Sequence, residues 1–217
     1  MKIFKSFKMM IMWLISLYIP LNSIANEVEV TEINKPIMIA NQFSFKSKAL
    51  NETRVFYVHL PTGYNINTSY PVLYIPDAKR KMQKTVAITD DLADFANRIP
   101  KMIVVGIETN KNRKADLSTL TSSKQFLTFI TTELKPYINS QYPTNGENLL
   151  MGSSMGGEFV VRALLEQPEE FDGYFAISPS IYYSDFKLVK KAKKISHNKK
   201  HINKKLYLSV ANEGWNQ

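Results

Sequence analysis

Seven short segments with the length and composition of β-strands recur along the chain, and they constrain its fold more than any other feature. The first two are separated by Asn51-Glu-Thr, which predicts a hairpin. The later ones are continuous apolar runs, as expected where helices cover both faces of a sheet. The predicted strands are residues 37–45, 54–60, 72–75, 103–107, 148–151, 174–177 and 206–210.

Helical patterns lie between these strands. Apolar residues fall four apart over residues 123–142, which predicts a helix there with a kink at Pro136. A second helix is predicted to begin after Ser154 and to end before Pro168. Alternating strands and helices imply a mainly parallel sheet, so we expect an α/β fold entered through an antiparallel N-terminal hairpin.

The first 25 residues have the pattern of a signal peptide. Three lysines precede an apolar run at residues 9–21, and Ser23-Ile24-Ala25 forms a small-x-small cleavage site. The run is shorter than the roughly 20 residues of a membrane span, although an uncleaved anchor is the alternative. We therefore expect a signal peptide at residues 1–25, a single domain at residues 26–217, a periplasmic or secreted location, and no stable membrane insertion after cleavage.

Charge and composition limit the kinds of ligand and partner that the chain is expected to bind. The chain has no cysteine, so packing rather than disulfides must stabilise an exported domain. The net charge of +9 falls to +6 without the leader lysines, and nine of the remaining lysines lie within residues 187–205. Apolar residues at helical spacing and the lack of interleaved aromatics favour a surface helix with a solvated lysine face over a nucleic-acid site. His197 and His201 have no third ligand nearby, so we expect no metal, and no other cofactor is indicated.

The segment Gly152-Ser153-Ser154-Met155-Gly156 matches G-x-S-x-G with Ser154 at its centre. It follows an apolar strand and precedes an amphipathic helix, which is the strand–turn–helix context of a nucleophile elbow. Oxyanion donors are then expected at the backbone of Met155 and in the loop after the third strand, at Asp77 and Ala78. The alternative is a glycine-rich turn in which Ser154 is only a helix N-cap.

The chain resembles the esterase D-like group of α/β-hydrolases, and within it the enterobactin-esterase-like hydrolases, over nearly all of residues 26–217. The matching segments are residues 55–64, 70–77, 103–107 with Arg113 and Asp116 downstream, 133–138, 152–157 and 176–180. The resemblance implies hydrolysis of a small-molecule carboxylic ester, such as a siderophore or acyl-sugar ester, through an acyl-enzyme at Ser154. Two departures are the Asp77-Ala78 pair, where the family usually has Asp-Gly, and a shorter segment after Asp116.

The general base is the missing part of this pattern. In this fold the histidine follows the last strand, but the three histidines of the chain all precede residue 206. His59 is predicted to be structural, and His197 and His201 to lie on the surface. Glu213 is the candidate for the carboxylate, with an ordinary exposed glutamate as its alternative and Asp185 as a weaker candidate.

Three functional hypotheses follow from these patterns. The first is a serine esterase whose chain is truncated at the C-terminus, or whose base comes from elsewhere. The second is a catalytically impaired or non-catalytic relative that binds a ligand in the same cleft. The third is a lysine-driven polyanion binder. The sequence also favours a structural ion pair between Arg113 and Asp116 near the cleft, with substrate contact as the alternative. It leaves the oligomeric state open.

Overall fold

The computed structural model describes residues 38–109, 113–184, 186–195 and 203–211, which belong to one compact unit, Met38–Gln217. The predicted signal peptide at residues 1–25 lies outside the described residues. Each of the seven predicted strands is present, with ends that differ from the prediction by a few residues. They are β1 (Asn41–Ser47), β2 (Glu52–His59), β3 (Tyr70–Pro76), β4 (Ile103–Ile107), β5 (Thr144–Ser153), β6 (Gly173–Ile177) and β7 (Lys205–Ser209).

The strands form a single sheet in the order β1-β2-β4-β3-β5-β6-β7. The β1–β2 and β2–β4 pairs are antiparallel, and the other four pairs are parallel. The predicted hairpin is confirmed, but its turn is at residues 48–51, because Glu52 already pairs with Ser47. Asn51 ends this turn at φ 51°, a left-handed conformation that asparagine tolerates better than most residues.

Six α-helices are present in the described residues: α1 (Ala78–Asp90), α2 (Arg113–Leu117), α3 (Leu120–Phe129), α4 (Lys135–Gln141), α5 (Met155–Glu166) and α6 (Lys187–Ile195). The helix predicted at residues 123–142 is α3 and α4 joined by a π-helical turn at Ile130–Leu134. Pro136 explains this irregularity, because proline has no N–H to donate to the carbonyl four residues earlier. None of the described helices combines the length and the apolar character needed to cross a bilayer.

Helices cover both faces of the central strands, as the apolar runs of β3 and β4 predicted. All residues of β3 and β4 are buried. Alternate β3 side chains enter two separate cores: Tyr74 packs with residues of α3 and α5, whereas Ile75 packs with Met82 and Val86 of α1. Because β3 to β7 are parallel, their carboxyl ends all lie at one edge of the sheet, which is where α/β folds carry their functional loops.

The lysine-rich helix α6 lies at the surface. Leu188 is buried, whereas most of the lysines of this helix are exposed. Lys191 pairs with Glu166 at the end of α5, with an Nζ–Oε1 distance of 3.2 Å. The predicted surface helix with a solvated lysine face is confirmed for residues 187–194, whose side chains the structure describes.

Candidate active site

Ser154 lies at the turn between β5 and α5, as the motif predicted. Its backbone has φ 57° and ψ −122°, a combination that non-glycine residues rarely adopt. The turn is held by hydrogen bonds: the Ser154 N–H donates to the Ile177 carbonyl at 3.0 Å, and the Ser154 carbonyl accepts the N–H of Glu158 at 3.0 Å. Ser154 is exposed, so the strained turn places it at the surface of the protein.

The alternative interpretation of Ser154 as a helix N-cap is not supported. The residue occupies the N-cap position of α5, but its side chain makes no capping hydrogen bond to that helix. Its Oγ instead lies 3.0 Å from the Oγ of Ser180, which follows β6. A capping serine would use its oxygen for an α5 amide, so this hydroxyl has a different role.

The glycines around Ser154 allow the strand and the helix to cross closely. A Cβ on Gly152 would lie 2.3 Å from the carbonyl oxygen of Gly156, and a Cβ on Gly157 would lie 3.0 Å from the Cα of Pro179. A side chain at Gly152 or Gly157 would therefore force the strand, the helix or the neighbouring loop to move. Gly156 is less confined, because its Cβ would be 3.4 Å from Pro76 Cγ.

The predicted oxyanion donors lie next to this turn. Met155 is the first residue of α5 and Ala78 is the first residue of α1, and the N–H groups at the start of a helix have no acceptor within it. A Cβ on Gly156 would be 3.8 Å from the Asp77 carboxylate, which shows that the two turns are neighbours. Two helix N-termini therefore face the same region, where their dipoles favour negative charge.

Asp77 has an unusual conformation that its side chain stabilises. It is in the left-handed region at φ 60° and ψ 34°, and its carboxylate is almost completely buried. Arg113 binds the carboxylate with two hydrogen bonds, Nε–Oδ1 at 2.7 Å and Nη2–Oδ2 at 2.6 Å, and Thr109 donates its hydroxyl at 2.8 Å. The loop after β4 is thereby tied to the turn after β3, where the oxyanion amides are predicted.

The predicted ion pair between Arg113 and Asp116 is wrong. Arg113 pairs with Asp77, whereas Asp116 pairs with Arg54 at an Oδ2–Nη1 distance of 2.6 Å. Asp116 faces the sheet in the first turn of α2 and meets the buried guanidinium of Arg54 there. In both pairs the arginine binds the carboxylate through two hydrogen bonds. Such a pair is stronger than a single contact between Arg113 and Asp116 within α2 would be.

A buried ion pair anchors the helix behind Ser154. The side chains of Glu158 and Arg162, one turn apart on α5, are fully buried. Glu158 accepts the Ser118 hydroxyl at 2.9 Å, and Arg162 donates to the Ser118 carbonyl at 3.2 Å. These contacts connect α5 to the segment between α2 and α3. The sequence marks the pair only by its i,i+4 spacing, so sequence reasoning missed it.

His59 lies far from Ser154. Its Nδ1 is 2.7 Å from the Ile39 carbonyl, and its Nε2 is 3.1 Å from Asp90 Oδ1, so both ring nitrogens are engaged. Strand register aligns His59 with Leu149, five residues before Ser154 and three strands away. That offset corresponds to about 16 Å along the strands and about 14 Å across them. The structural role predicted for His59 fits these contacts.

Four candidates from the sequence lie outside the described residues: His197, His201, Asp185 and Glu213. The structure therefore brings together Ser154, Met155, Asp77 and Ala78, and it adds Ser180 and Arg113 to them. Among the residues that it does describe, no cluster of three or more histidine or acidic side chains could hold a metal ion.

A model of the family described as "Putative esterase" matches residues 47–216. The chain belongs to this esterase family. The match confirms the predicted resemblance. It also agrees with the α/β topology, in which a strained serine joins β5 to the following helix.

Individual relatives of the chain agree with the family match. The ferri-bacillibactin esterase BesA of Bacillus subtilis is 29% identical over an alignment of 170 positions, which covers 65% of this chain and 59% of BesA. The crystal structure of an IroE-like serine hydrolase from Shewanella oneidensis has a TM-score of 0.73 and 30% identity, covering 80% of this chain and 61% of that one. The chain thus spans about six-tenths of the length of both relatives.

A more distant structure supports the fold alone. The BES protein from Bacillus cereus is 22% identical to this chain and has a TM-score of 0.73, covering 85% of this chain and 79% of that one. Together with the nearer relatives, it confirms the predicted α/β-hydrolase fold with an antiparallel N-terminal hairpin.

Proposed function

We propose that this esterase cleaves carboxylic esters through an acyl-enzyme at Ser154. The strained turn that exposes Ser154 between β5 and α5 is the observation that carries the proposal. The adjacent helix N-termini support it, because they supply unpaired amides where an oxyanion would form. The N-cap role that would explain Ser154 without chemistry is not seen in its contacts.

The reaction divides into two steps. In the first, Ser154 Oγ attacks the ester carbonyl and its proton passes to a base, while the amides of Met155 and of Ala78 or Asp77 hold the oxyanion. The carbon–oxygen bond of the ester then breaks, and the alcohol leaves with a proton. In the second step, water attacks the acyl-serine, the acid is released and Ser154 recovers its proton.

Siderophore esters are the substrate class that we propose first, with acyl-sugar esters as the second. The support is the name of the relative BesA, a ferri-bacillibactin esterase, together with the resemblance of the segments around Ser154 and Asp77 to the enterobactin-esterase-like hydrolases. The substrate is a small molecule in either case. We propose no nucleic-acid partner, since the lysines of α6 form a helix face without aromatic side chains for base stacking.

A second candidate function is ligand binding without efficient catalysis. One observation favours it: His59, the one histidine among the described residues, is remote from Ser154. Serine is a weak nucleophile unless a base removes its proton. Without a histidine supplied by residues outside the described part, we expect turnover about 10⁴-fold below that of an intact relative.

Covalent labelling with a fluorophosphonate separates the two candidates. We expect the wild-type chain to be labelled at Ser154, Ser154→Ala to be unlabelled, and Ser153→Ala, the matched control, to be labelled like wild type. Hydrolysis of a short-chain nitrophenyl ester then measures turnover. An unlabelled wild type whose melting temperature still rises with a siderophore ester would refute the esterase and support the binding function.

We also propose that the esterase is exported to the periplasm or secreted, with residues 1–25 removed. The lysines, the apolar run and Ser23-Ile24-Ala25 support this proposal. Mass spectrometry of the protein recovered from a secretion-competent host gives the test. We expect a mature N-terminus at Asn26, and an uncleaved Met1 in the membrane fraction would contradict it.

A further inference from the structure

The hydroxyl of Ser154 has a partner that is not part of the G-x-S-x-G motif. Ser180 Oγ lies 3.0 Å from Ser154 Oγ, although the two residues are 26 positions apart. Ser180 is only 6% exposed, whereas Ser154 is exposed. The nucleophile candidate is therefore hydrogen-bonded to a buried hydroxyl that water competes with little.

The backbone keeps the two serines in register. The Ser180 N–H donates to the Ser154 carbonyl at 3.1 Å, so main chain and side chain both connect the residues. The Ser154 N–H donates to Ile177, the last residue of β6, which ties the turn to the same strand end from which Ser180 follows. Pro179, beside Ser180, packs against Gly157, where a Cβ would be 3.0 Å away.

We infer that Ser180 is a positioning residue for the Ser154 nucleophile, an inference that rests on the proposed esterase function. The Ser180 O–H donates to Ser154 Oγ, which selects one side-chain rotamer of Ser154 and leaves the Ser154 proton free for a base. When that proton leaves, the oxygen gains negative charge and the hydrogen bond from Ser180 becomes charge-assisted and stronger. Ser180 keeps its own proton throughout, so the balance of the reaction is unchanged.

The first test compares Ser180→Ala with Ser178→Ala, a matched control that removes a hydroxyl from the same segment. Ser178 Oγ accepts the N–H of Ala211 and is not bonded to the Ser154 side chain. We expect Ser180→Ala to lower kcat for a nitrophenyl ester and the rate of fluorophosphonate labelling by about tenfold or more, with KM and melting temperature nearly unchanged. Ser180→Cys, which keeps a weak donor of similar size, should recover part of the loss.

The second test does not require chemistry. Crystal structures, or side-chain coupling constants measured by NMR, should show one Ser154 rotamer in wild type and in Ser178→Ala, and several in Ser180→Ala. Unchanged labelling and a single rotamer in Ser180→Ala would overturn the inference. If the wild type is not labelled, but has one Ser154 rotamer where Ser180→Ala has several, the proposed function is refuted and the positioning role of Ser180 is retained.

Discussion

Replacing Gly152 with alanine tests whether the close crossing of β5 and α5 is what shapes the turn at Ser154. The added Cβ would lie 2.3 Å from the Gly156 carbonyl oxygen and 2.5 Å from its carbonyl carbon. Ordinary van der Waals contact begins near 3.4 Å, so the methyl group would be about 1 Å too close. Backbone atoms cannot rotate away as a side chain can, so the strand or the helix must move.

The expected loss of stability follows from that overlap. Overpacking by a methyl group typically costs 1–3 kcal/mol, and we expect Gly152→Ala at the upper end, about 3 kcal/mol, because both obstructing atoms are main chain. For a domain of this size that is a fall in melting temperature of about 6–12 °C. Urea unfolding and a thermal scan measure the two quantities. Fluorophosphonate labelling should slow as well, because Ser154 would leave its strained conformation.

Two neighbouring glycines provide matched controls. A Cβ on Gly157 would be 3.0 Å from Pro179 Cα, and a Cβ on Gly156 would be 3.4 Å from Pro76 Cγ. The loss should therefore decrease from Gly152→Ala to Gly157→Ala to Gly156→Ala, and the last change gains helix propensity in α5. If Gly152→Ala were as stable as Gly156→Ala, the reasoning from backbone contact would be wrong.

Three further predictions concern residues around the site. Arg162→Leu should lower the free energy of unfolding by roughly 3–5 kcal/mol in urea titrations, because it removes the cation beside buried Glu158, and adding Glu158→Leu should restore part of the loss. Tyr57→Phe should reduce the loss of stability at alkaline pH. Burial and, after it, Glu108 raise the pKa of Tyr57 from 10.0 to about 12. The contribution of Tyr57 to the free energy of unfolding is therefore complete below pH 10.0 and is lost as the pH rises through about 12. Asp77→Ala should slow fluorophosphonate labelling about tenfold, and Asp77→Asn should slow it less, because asparagine tolerates the left-handed conformation.

The sheet could be predicted from sequence because its signals are local. Continuous apolar runs such as those of β3 and β4 mark strands covered on both faces, and the structure buries every residue of both. The hairpin turn was misplaced by a few residues, since the register of Glu52 with Ser47 depends on the whole ladder. The π-helical turn before Pro136 was also missed, because proline predicts a disturbance but not the form that it takes.

The candidate site divides in the same way. Ser154, Met155 and the turn at Asp77 follow from strand–turn–helix patterns within a few residues of each motif. The partners of Asp77 and Ser154 are distant in sequence: Arg113 is 36 positions from Asp77, and Ser180 is 26 from Ser154. Such pairs depend on which strands are neighbours, which residue periodicity does not encode. For this reason the sequence predicts a pair of Arg113 with Asp116, whereas the structure pairs Arg113 with Asp77.

The positions of these partners explain why the geometry of the turn at Ser154 can be tested without knowing which residue is the general base. The strained conformation of Ser154 is stabilised by hydrogen bonds of its backbone with Ile177, Glu158 and Ser180, which lie in or next to α5 and β6. The turn at Asp77 is stabilised by contacts of the Asp77 carboxylate with Thr109 and Arg113, which join the ends of β3 and β4. Neither set involves a histidine. The geometry of the proposed nucleophile and of the proposed oxyanion amides is therefore a property of the sheet edge itself, whereas the rate of the proposed ester cleavage depends in addition on the base that takes the Ser154 proton.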